Sequence, residues 1–256
     1  MTNLSNQLKS FFRSFGYVIS NSKWSYCDPI ADQVRLAGKD ARTIFDVGAN
    51  NGNTVQNYLV HFPQSKIFAF EPTKTLASHL RKRFLGNGRV TIEEKAISNA
   101  DGTANFVCAN KDMLNSLLAL NTNYDSAVEI ATHDVSTTTI DSYCNSNSID
   151  RVDVLKIDIQ GAEKLAFEGA VEMLKSQRIH VVYSEMQFTK IYADQTRPEE
   201  VLSILAAKGY VLYGLYEISR ASNGCIDFCN GLFVSNSISK SLNSNYLYQG
   251  AITDQN

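Results

Sequence analysis

The sequence predicts an α/β fold: a mostly parallel sheet with helices on both faces, ending in an antiparallel hairpin. Three observations predict it. Short β-branched or aromatic runs alternate with longer amphipathic stretches, the pattern of strands and the helices that cover them. A turn carrying Gly48 and Gly52 leads straight from the first run into a helix-patterned stretch. The last two runs are joined by Arg220-Ala221-Ser222-Asn223-Gly224, a linker too short for a helical crossover, so these two strands must be antiparallel.

Taken in order, strands are expected at Thr43–Val47, Lys66–Phe70, Val90–Ala96, Val152–Ile157 and Arg178–Ser184. After the first, Val55, Tyr58, Leu59 and Phe62 fall at helical spacing and give one apolar stripe to lay on the sheet, which Pro63 ends. The turn Ser98-Asn99-Ala100-Asp101-Gly102 reads as a hairpin joining the third strand to Thr103–Cys108. Asn121 to His133 has no clear period and is expected to be irregular or a weak helix over the site. Ala162–Leu174 repeats the helical stripe, and Thr196-Arg197-Pro198-Glu199-Glu200 reads as an N-cap, an early proline and an acidic first turn, with Gly209 ending that helix. Tyr210–Glu217 and Ile226–Ser235 form the closing hairpin.

With 256 residues, 44% hydrophobic and 20% charged, the chain fits one large domain around one core. The expected organisation is a helical extension or lid over residues 1–40, a principal domain over 41–236, and a Ser/Asn-rich tail over 237–256. Leu4, Leu8, Phe11, Phe12 and Phe15 share one helical stripe beside Lys9 and Arg13; a packed helix, a lid, a homodimer face and a membrane-surface helix are the alternatives. Lys+Arg 24 against Asp+Glu 26 leaves no basic field for a phosphate backbone, which argues against general nucleic-acid binding. No long apolar run or secretory signal is present, so the expectation is a cytoplasmic protein without stable membrane insertion. The five cysteines lack paired spacing and read as reduced thiols, and no histidine pair has the spacing of zinc ligands.

The most informative stretch is Ile44-Phe45-Asp46-Val47-Gly48-Ala49-Asn50-Asn51-Gly52-Asn53-Thr54. Gly48 permits a tight turn, Asn50 tolerates left-handed dihedrals, and Gly52 permits close packing where the helix begins. Nineteen residues after Gly52, Glu71 stands at the end of the second strand, where a carboxylate can accept hydrogen bonds from both hydroxyls of a ribose; Pro72 keeps it extended. The full G-x-G-x-x-G and the P-loop lysine are missing, so a pyrophosphate is poorly served. Asp46 adds negative charge near the turn, which suits a ligand bearing an ammonium and a sulfonium. S-adenosylmethionine has both.

On Phe45-Asp46-Val47-Gly48-Ala49-Asn50-Asn51-Gly52, Ala69-Phe70-Glu71-Pro72 and Leu155-Lys156-Ile157-Asp158-Ile159-Gln160-Gly161-Ala162-Glu163, the sequence resembles the FkbM family of S-adenosylmethionine-dependent methyltransferases. The likeness spans about Arg42 to Ser235, takes in the threonine-rich Asp134–Asp141, and implies a Rossmann-like class I methyltransferase sheet for the principal domain. It also implies O-methylation of a hydroxyl on a sugar, a glycan or a related natural product. Carried over by motif, Asp46, Gly48, Asn50, Gly52 and Glu71 contact the cofactor, Ala96 lies near the adenine, and Asn115-Ser116 contributes a loop. Gln160 stands where glutamate is common in the family.

Methyl transfer to an alcohol needs alignment and removal of the hydroxyl proton, by a base or with help from a metal ion. Asp158 and Glu185 are expected at the carboxyl ends of the fourth and fifth strands, where open α/β sheets place their chemistry. They are read as a catalytic pair, acting either as proton acceptor or as ligands of a divalent cation such as Mg²⁺. Glu163, in the first turn of the next helix, is a third candidate, and His133 a fourth. Asp158→Asn is expected to lower turnover far more than cofactor affinity. Two other readings stay open: a nucleotide-dependent oxidoreductase or epimerase, and a non-catalytic binding protein of the same fold.

Overall fold

A computed structural model of the chain describes residues 28–109, 114–121 and 130–240. The large sheet is built from β1 (Thr43–Val47), β2 (Lys66–Phe70), β3 (Val90–Glu93), β7 (Val152–Ile157), β8 (Ile179–Gln187), β9 (Tyr210–Tyr216) and β10 (Phe228–Ser235). Their spatial order is β3-β2-β1-β7-β8-β10-β9. From β3 to β8 every pairing is parallel, while β10 runs antiparallel to both β8 and β9. This is the mostly parallel sheet with a closing hairpin that the sequence predicts. Chain order reverses between β1 and β7, and a reversal of this kind opens a crevice at the carboxyl ends of the two strands.

Alternate strand residues feed two cores. Ile44, Val154 and Val181 pack on one face, with Val55 and Tyr58 of α2 (Asn53–His61) and Leu80 of α3 (Lys74–Arg83). Phe45, Leu155 and Val182 pack on the other, with Ile140 of α4 (Ile140–Ser146), Ala166 of α5 (Glu163–Glu168), Met173 of α6 (Val171–Lys175) and Val201 of α7 (Pro198–Ala207). Each large apolar side chain buried in this way contributes about 1.5–3 kcal/mol relative to exposure. Before β1, α1 (Pro29–Ala37) starts on an Asp28 cap and is clipped to the body by Tyr58 Oη donating to Gln33 (2.8 Å) and Tyr216 Oη to Asp32 (2.9 Å). The apolar stripe from Leu4 to Phe15 and nearly all of the tail lie outside the described residues; α8 (Asn236–Ser239) precedes the rest of the tail. Among the described residues no helix is long and apolar enough to cross a membrane, and Cys144, Cys225 and Cys229 are free thiols.

Several local expectations are corrected. The third strand is two: β3 stops at Glu93, and β4 (Ala96–Ile97) belongs to a second sheet of order β4-β6-β5 with β5 (Gly102–Ala109) and β6 (Ile130–Thr138). The consecutive charges Glu93-Glu94-Lys95 cannot continue between two apolar faces, and Glu94 leaves to pair with Arg81 at 2.7 Å. The 98–102 turn does not make a hairpin of neighbouring strands, because β6 inserts between β4 and β5. Thr137 Oγ1 donates to the Ala100 carbonyl (2.9 Å) and Thr138 Oγ1 to Asp101 (2.8 Å), holding β6 in that slot. Ile130 to His133 are therefore strand, and residues 122–129 lie outside the described residues. The single helix expected over 162–174 is α5 and α6, since the Asp141 carboxylate caps a new start by accepting from the Glu172 and Met173 N–H groups, both at 2.9 Å. Arg197, not Thr196, is the N-cap residue of α7; Thr196 Oγ1 instead donates to the Gly161 carbonyl (2.7 Å) and accepts from Lys164 N (3.0 Å).

Candidate active site

β1 ends in a turn with Gly48 at φ 78 and Asn50 at φ 47, the left-handed conformations expected there. The Gly48 and Ala49 N–H groups both donate to the Phe70 carbonyl at 3.0 Å, tying the turn to the end of β2. Asp158 N donates to the Val47 carbonyl (3.1 Å), and a Cβ on Gly48 would overlap the Asp158 carbonyl oxygen. The absence of a side chain is therefore what lets β1 and β7 close together at the crevice. Gly52 faces the other way, where a Cβ would meet Leu80 and Phe84 at 2.6 and 2.8 Å; it packs α2 on α3 and does not line the cavity.

The crevice is a cavity of about 520 Å³. Gly48, Asn50, Glu71 and Ala96 line it together with Asp158 and Glu185. Glu71 is buried, and its two oxygens accept separately: Oε2 from Asn50 N (3.0 Å) and Oε1 from Thr73 N (2.8 Å). Burial raises its pKa while these two N–H groups oppose the rise. Each carboxylate oxygen retains acceptor capacity, which fits a ribose diol. Phe70, Leu76 and Ile97 supply apolar surface beside it for a purine. The residues present thus fit an adenosine-bearing cofactor.

Asp46 is in a different situation from the one its sequence position suggests. It is fully buried, does not line the cavity, and stands opposite Lys156 in the β1–β7 register, with Lys156 Nζ 3.1 Å from Oδ1. The contact is an ion pair without aligned hydrogen-bond geometry. Burial raises the Asp46 pKa, with Lys156 pulling against it. Burial alone would draw the Lys156 ammonium down, but the Asp46 and Asp158 carboxylates outweigh it and hold the lysine above its ordinary value. The same Nζ donates to the Gly48 carbonyl (2.8 Å), so this cation also braces the turn.

Asp158 and Glu185 do come together, joined by an amide. Gln160, at φ 56, donates from Nε2 to Asp158 Oδ1 (3.0 Å) and to Glu185 Oε2 (3.1 Å), while Tyr192 Oη donates to its Oε1 (3.4 Å). Burial, then the charges of Asp158 and Glu163, raise the Glu185 pKa well above the usual carboxylate range. β8 runs on to Gln187, so Glu185 lies within the strand rather than just beyond it. The expected divalent cation does not fit this pair: a nitrogen donor, which cannot ligate a cation, bridges the two carboxylates, and Lys156 Nζ lies 3.6 Å from Asp158 Oδ2. Among the described residues no group of three or more His, Cys, Asp or Glu is arranged to hold a metal ion.

Of the remaining predicted residues, two brace the walls and one lies apart. Glu163 is buried and absent from the lining; its Oε1 accepts from Ile159 N (3.3 Å) and Gly161 N (3.2 Å), and burial pushes its pKa up to about 7. Ser116 Oγ donates to the Gln160 carbonyl (2.8 Å), while its neighbour Asn115 reaches the cavity. His133 is exposed on β6 opposite Phe106 and does not line the cavity. Sequence reasoning missed Lys156 and the hairpin residues Glu217, Phe228 and Asn230, all three of which line the cavity. Lys156 had a signal, since a lysine inside the apolar run Val152–Ile157 requires a buried counter-charge.

The family model described as Methyltransferase FkbM domain matches residues 46–212. A 2-O-methyltransferase, NoeI, of Sinorhizobium fredii (strain NBRC 101917 / NGR234) is 27% identical over 182 residues, which span 67% of this chain and 74% of that protein. Among solved structures, an rRNA methylase from Streptococcus thermophilus matches with a TM-score of 0.46 and 12% identity, covering 82% of this chain and 98% of its own. A TehB-like SAM-dependent methyltransferase from Corynebacterium glutamicum matches with a TM-score of 0.39 and 12% identity, covering 90% and 97%.

Proposed function

We propose that this chain, which belongs to the FkbM methyltransferase family, transfers a methyl group from S-adenosylmethionine to a hydroxyl of a sugar, a glycan or a related small-molecule acceptor. One observation carries the reading: a single cavity runs from the Glu71 carboxylate at the Gly48 turn to the Asp158–Glu185 pair. The resemblance to a 2-O-methyltransferase supports oxygen as the atom methylated.

When bound, the cofactor supplies an electrophilic methyl on a sulfonium. What remains for the protein is alignment and proton removal. Glu71 holds the ribose hydroxyls, and the Gly48–Asn50 backbone lets the ligand approach closely. Asp158, fixed by the Gln160 amide, orients the acceptor hydroxyl. Glu185, whose proton affinity burial and Asp158 raise, takes the hydroxyl proton as the oxygen becomes nucleophilic.

The test is calorimetry with S-adenosylhomocysteine together with transfer of labelled methyl to a glycoside pool. Asp158→Asn and Glu185→Gln should each lower turnover by about a hundredfold or more while leaving S-adenosylhomocysteine affinity within about threefold. No heat with S-adenosylhomocysteine, or a pyrophosphate-bearing ligand retained on purification, would overturn the reading.

A further inference from the structure

At the acceptor end of the cavity, the closing hairpin presents a carboxylate and a carboxamide bonded to each other. We infer that Glu217 and Asn230, beside the Phe228 ring, grip two neighbouring hydroxyls of an uncharged sugar ring; the inference rests on the methyl-transfer reading and names the acceptor class of that same site.

Placement comes first. Asn230 of β10 pairs with Glu185 on one side and with Tyr216 on the other, so it lies one strand from the proposed proton acceptor. Glu217 follows directly on Tyr216, and Glu185, Glu217, Phe228 and Asn230 all line the same cavity. Glu217 has φ 50, a conformation that costs a non-glycine residue free energy and that persists where the surroundings impose it. The surroundings here are specific: Glu217 Oε2 accepts from Tyr183 Oη (2.8 Å) and from Asn230 Nδ2 (2.7 Å). Burial and the Glu217 charge both hold the Tyr183 phenol above its ordinary pKa, so it stays a donor.

Both donors fall on one carboxylate oxygen. Among the described residues none reaches Glu217 Oε1 or Asn230 Oδ1. Two acceptor oxygens on side chains bonded to each other ask for a ligand with two donors at fixed spacing, as a ring with neighbouring hydroxyls provides. The Phe228 ring offers an apolar face for the C–H surface of such a ring. Charge narrows the class further. Among the described residues four carboxylates (Glu71, Asp158, Glu185 and Glu217) line the cavity against one lining lysine, Lys95; Lys156 behind Asp158 offsets one of these charges, and Asp227 adds to the negative field at Glu185. A phosphate or carboxylate on the acceptor would face this field.

The experiment uses the full chain loaded with S-adenosylhomocysteine for saturation-transfer NMR, and with labelled S-adenosylmethionine for turnover. The probes are methyl pyranosides of the common hexoses and 6-deoxyhexoses, with hexose 6-phosphates and hexuronates as charged counterparts. At least one neutral glycoside should bind and be methylated, its charged counterparts binding about tenfold or more weakly. Glu217→Gln should raise the acceptor KM about tenfold with kcat within about threefold and S-adenosylhomocysteine affinity unchanged. Asn230→Ala, which leaves the Glu217 carboxylate and its Tyr183 bond in place, should raise the same KM. Binding of no neutral glycoside, equal or tighter binding of the charged counterparts, or a fall in kcat at constant KM overturns the inference. Failure of the unmodified protein to bind S-adenosylhomocysteine would instead sink the methyl-transfer reading, so the two failures are distinguishable.

Discussion

Replacing Lys156 by methionine removes the cation from a pair in which Asp46 is wholly buried and Lys156 is 8% exposed. Methionine keeps the length and apolar body of the side chain, so the loss is chiefly electrostatic. Leaving one member of a buried pair uncompensated costs about 3–5 kcal/mol, a large part of the roughly 5–15 kcal/mol that holds a domain folded. The 3.6 Å contact to Asp158, whose side chain is 39% exposed, adds little to this because solvent screens it. At about 2–4 °C per kcal/mol for a chain of this size, the unfolding midpoint should fall by roughly 6–20 °C at pH 7. The double variant Asp46→Asn/Lys156→Met carries no net charge at the pair and should recover most of that loss. The pH dependence has a definite sign. Without Lys156, the Asp46 carboxyl keeps the rise caused by burial and loses the charge that opposed it, so its folded pKa climbs further above the unfolded value. Stability from a raised carboxyl is present below the unfolded pKa and disappears as pH rises, so the deficit against the unmodified protein should narrow towards pH 4. Urea unfolding of all three proteins at pH 4 and pH 7 measures this. A single variant within about 1 kcal/mol of the unmodified protein, or a double variant no more stable than the single, would refute the reasoning.

Gly48→Ala should abolish the close approach of β1 and β7, because the new methyl overlaps the Asp158 carbonyl and the backbone has φ 78. A loss of about 2 kcal/mol or more in stability, with S-adenosylhomocysteine affinity down about tenfold, is expected from unfolding and calorimetry. Glu163→Gln tests the carboxyl that burial pushes from 4.5 up to about 7. The raised pKa contributes stability below about pH 4.5 that is lost as pH rises to about 7, so the variant, neutral throughout, should match the native protein at low pH and exceed it by up to about 3 kcal/mol at pH 8. Parallel unfolding curves across that range would contradict it.

What could be read from the chain depended on how far apart the partners lie. Glu71, the Gly48 turn and the closing hairpin were legible because a strand end, a left-handed turn and a five-residue linker each leave a local mark. The partnership of Asp46 with Lys156 was not, because 110 residues separate them and strand register alone sets them opposite one another. The sequence therefore offered the Asp46 charge to the ligand, and the fold gives it to Lys156. The split of the third strand and the slot occupied by β6 escaped for a related reason. Thr137 and Thr138 choose their partners across a turn that favours a simple hairpin when seen alone. Glu217 follows a strand end as an ordinary surface acid would, and its role depends on Tyr183 and Asn230, which only the folded sheet brings to it.

The small sheet that holds β6 between β4 and β5 separates two jobs along the chain. Its ladder closes through its own hydrogen bonds, and the stretch bearing Asn115 and Leu117 hangs from it as a ceiling over the cavity. A substitution at Asn115 or Leu117 alters that ceiling and leaves β1 and β7 in register. The shape of the space above the crevice can thus be altered without rebuilding the strand ends beneath it.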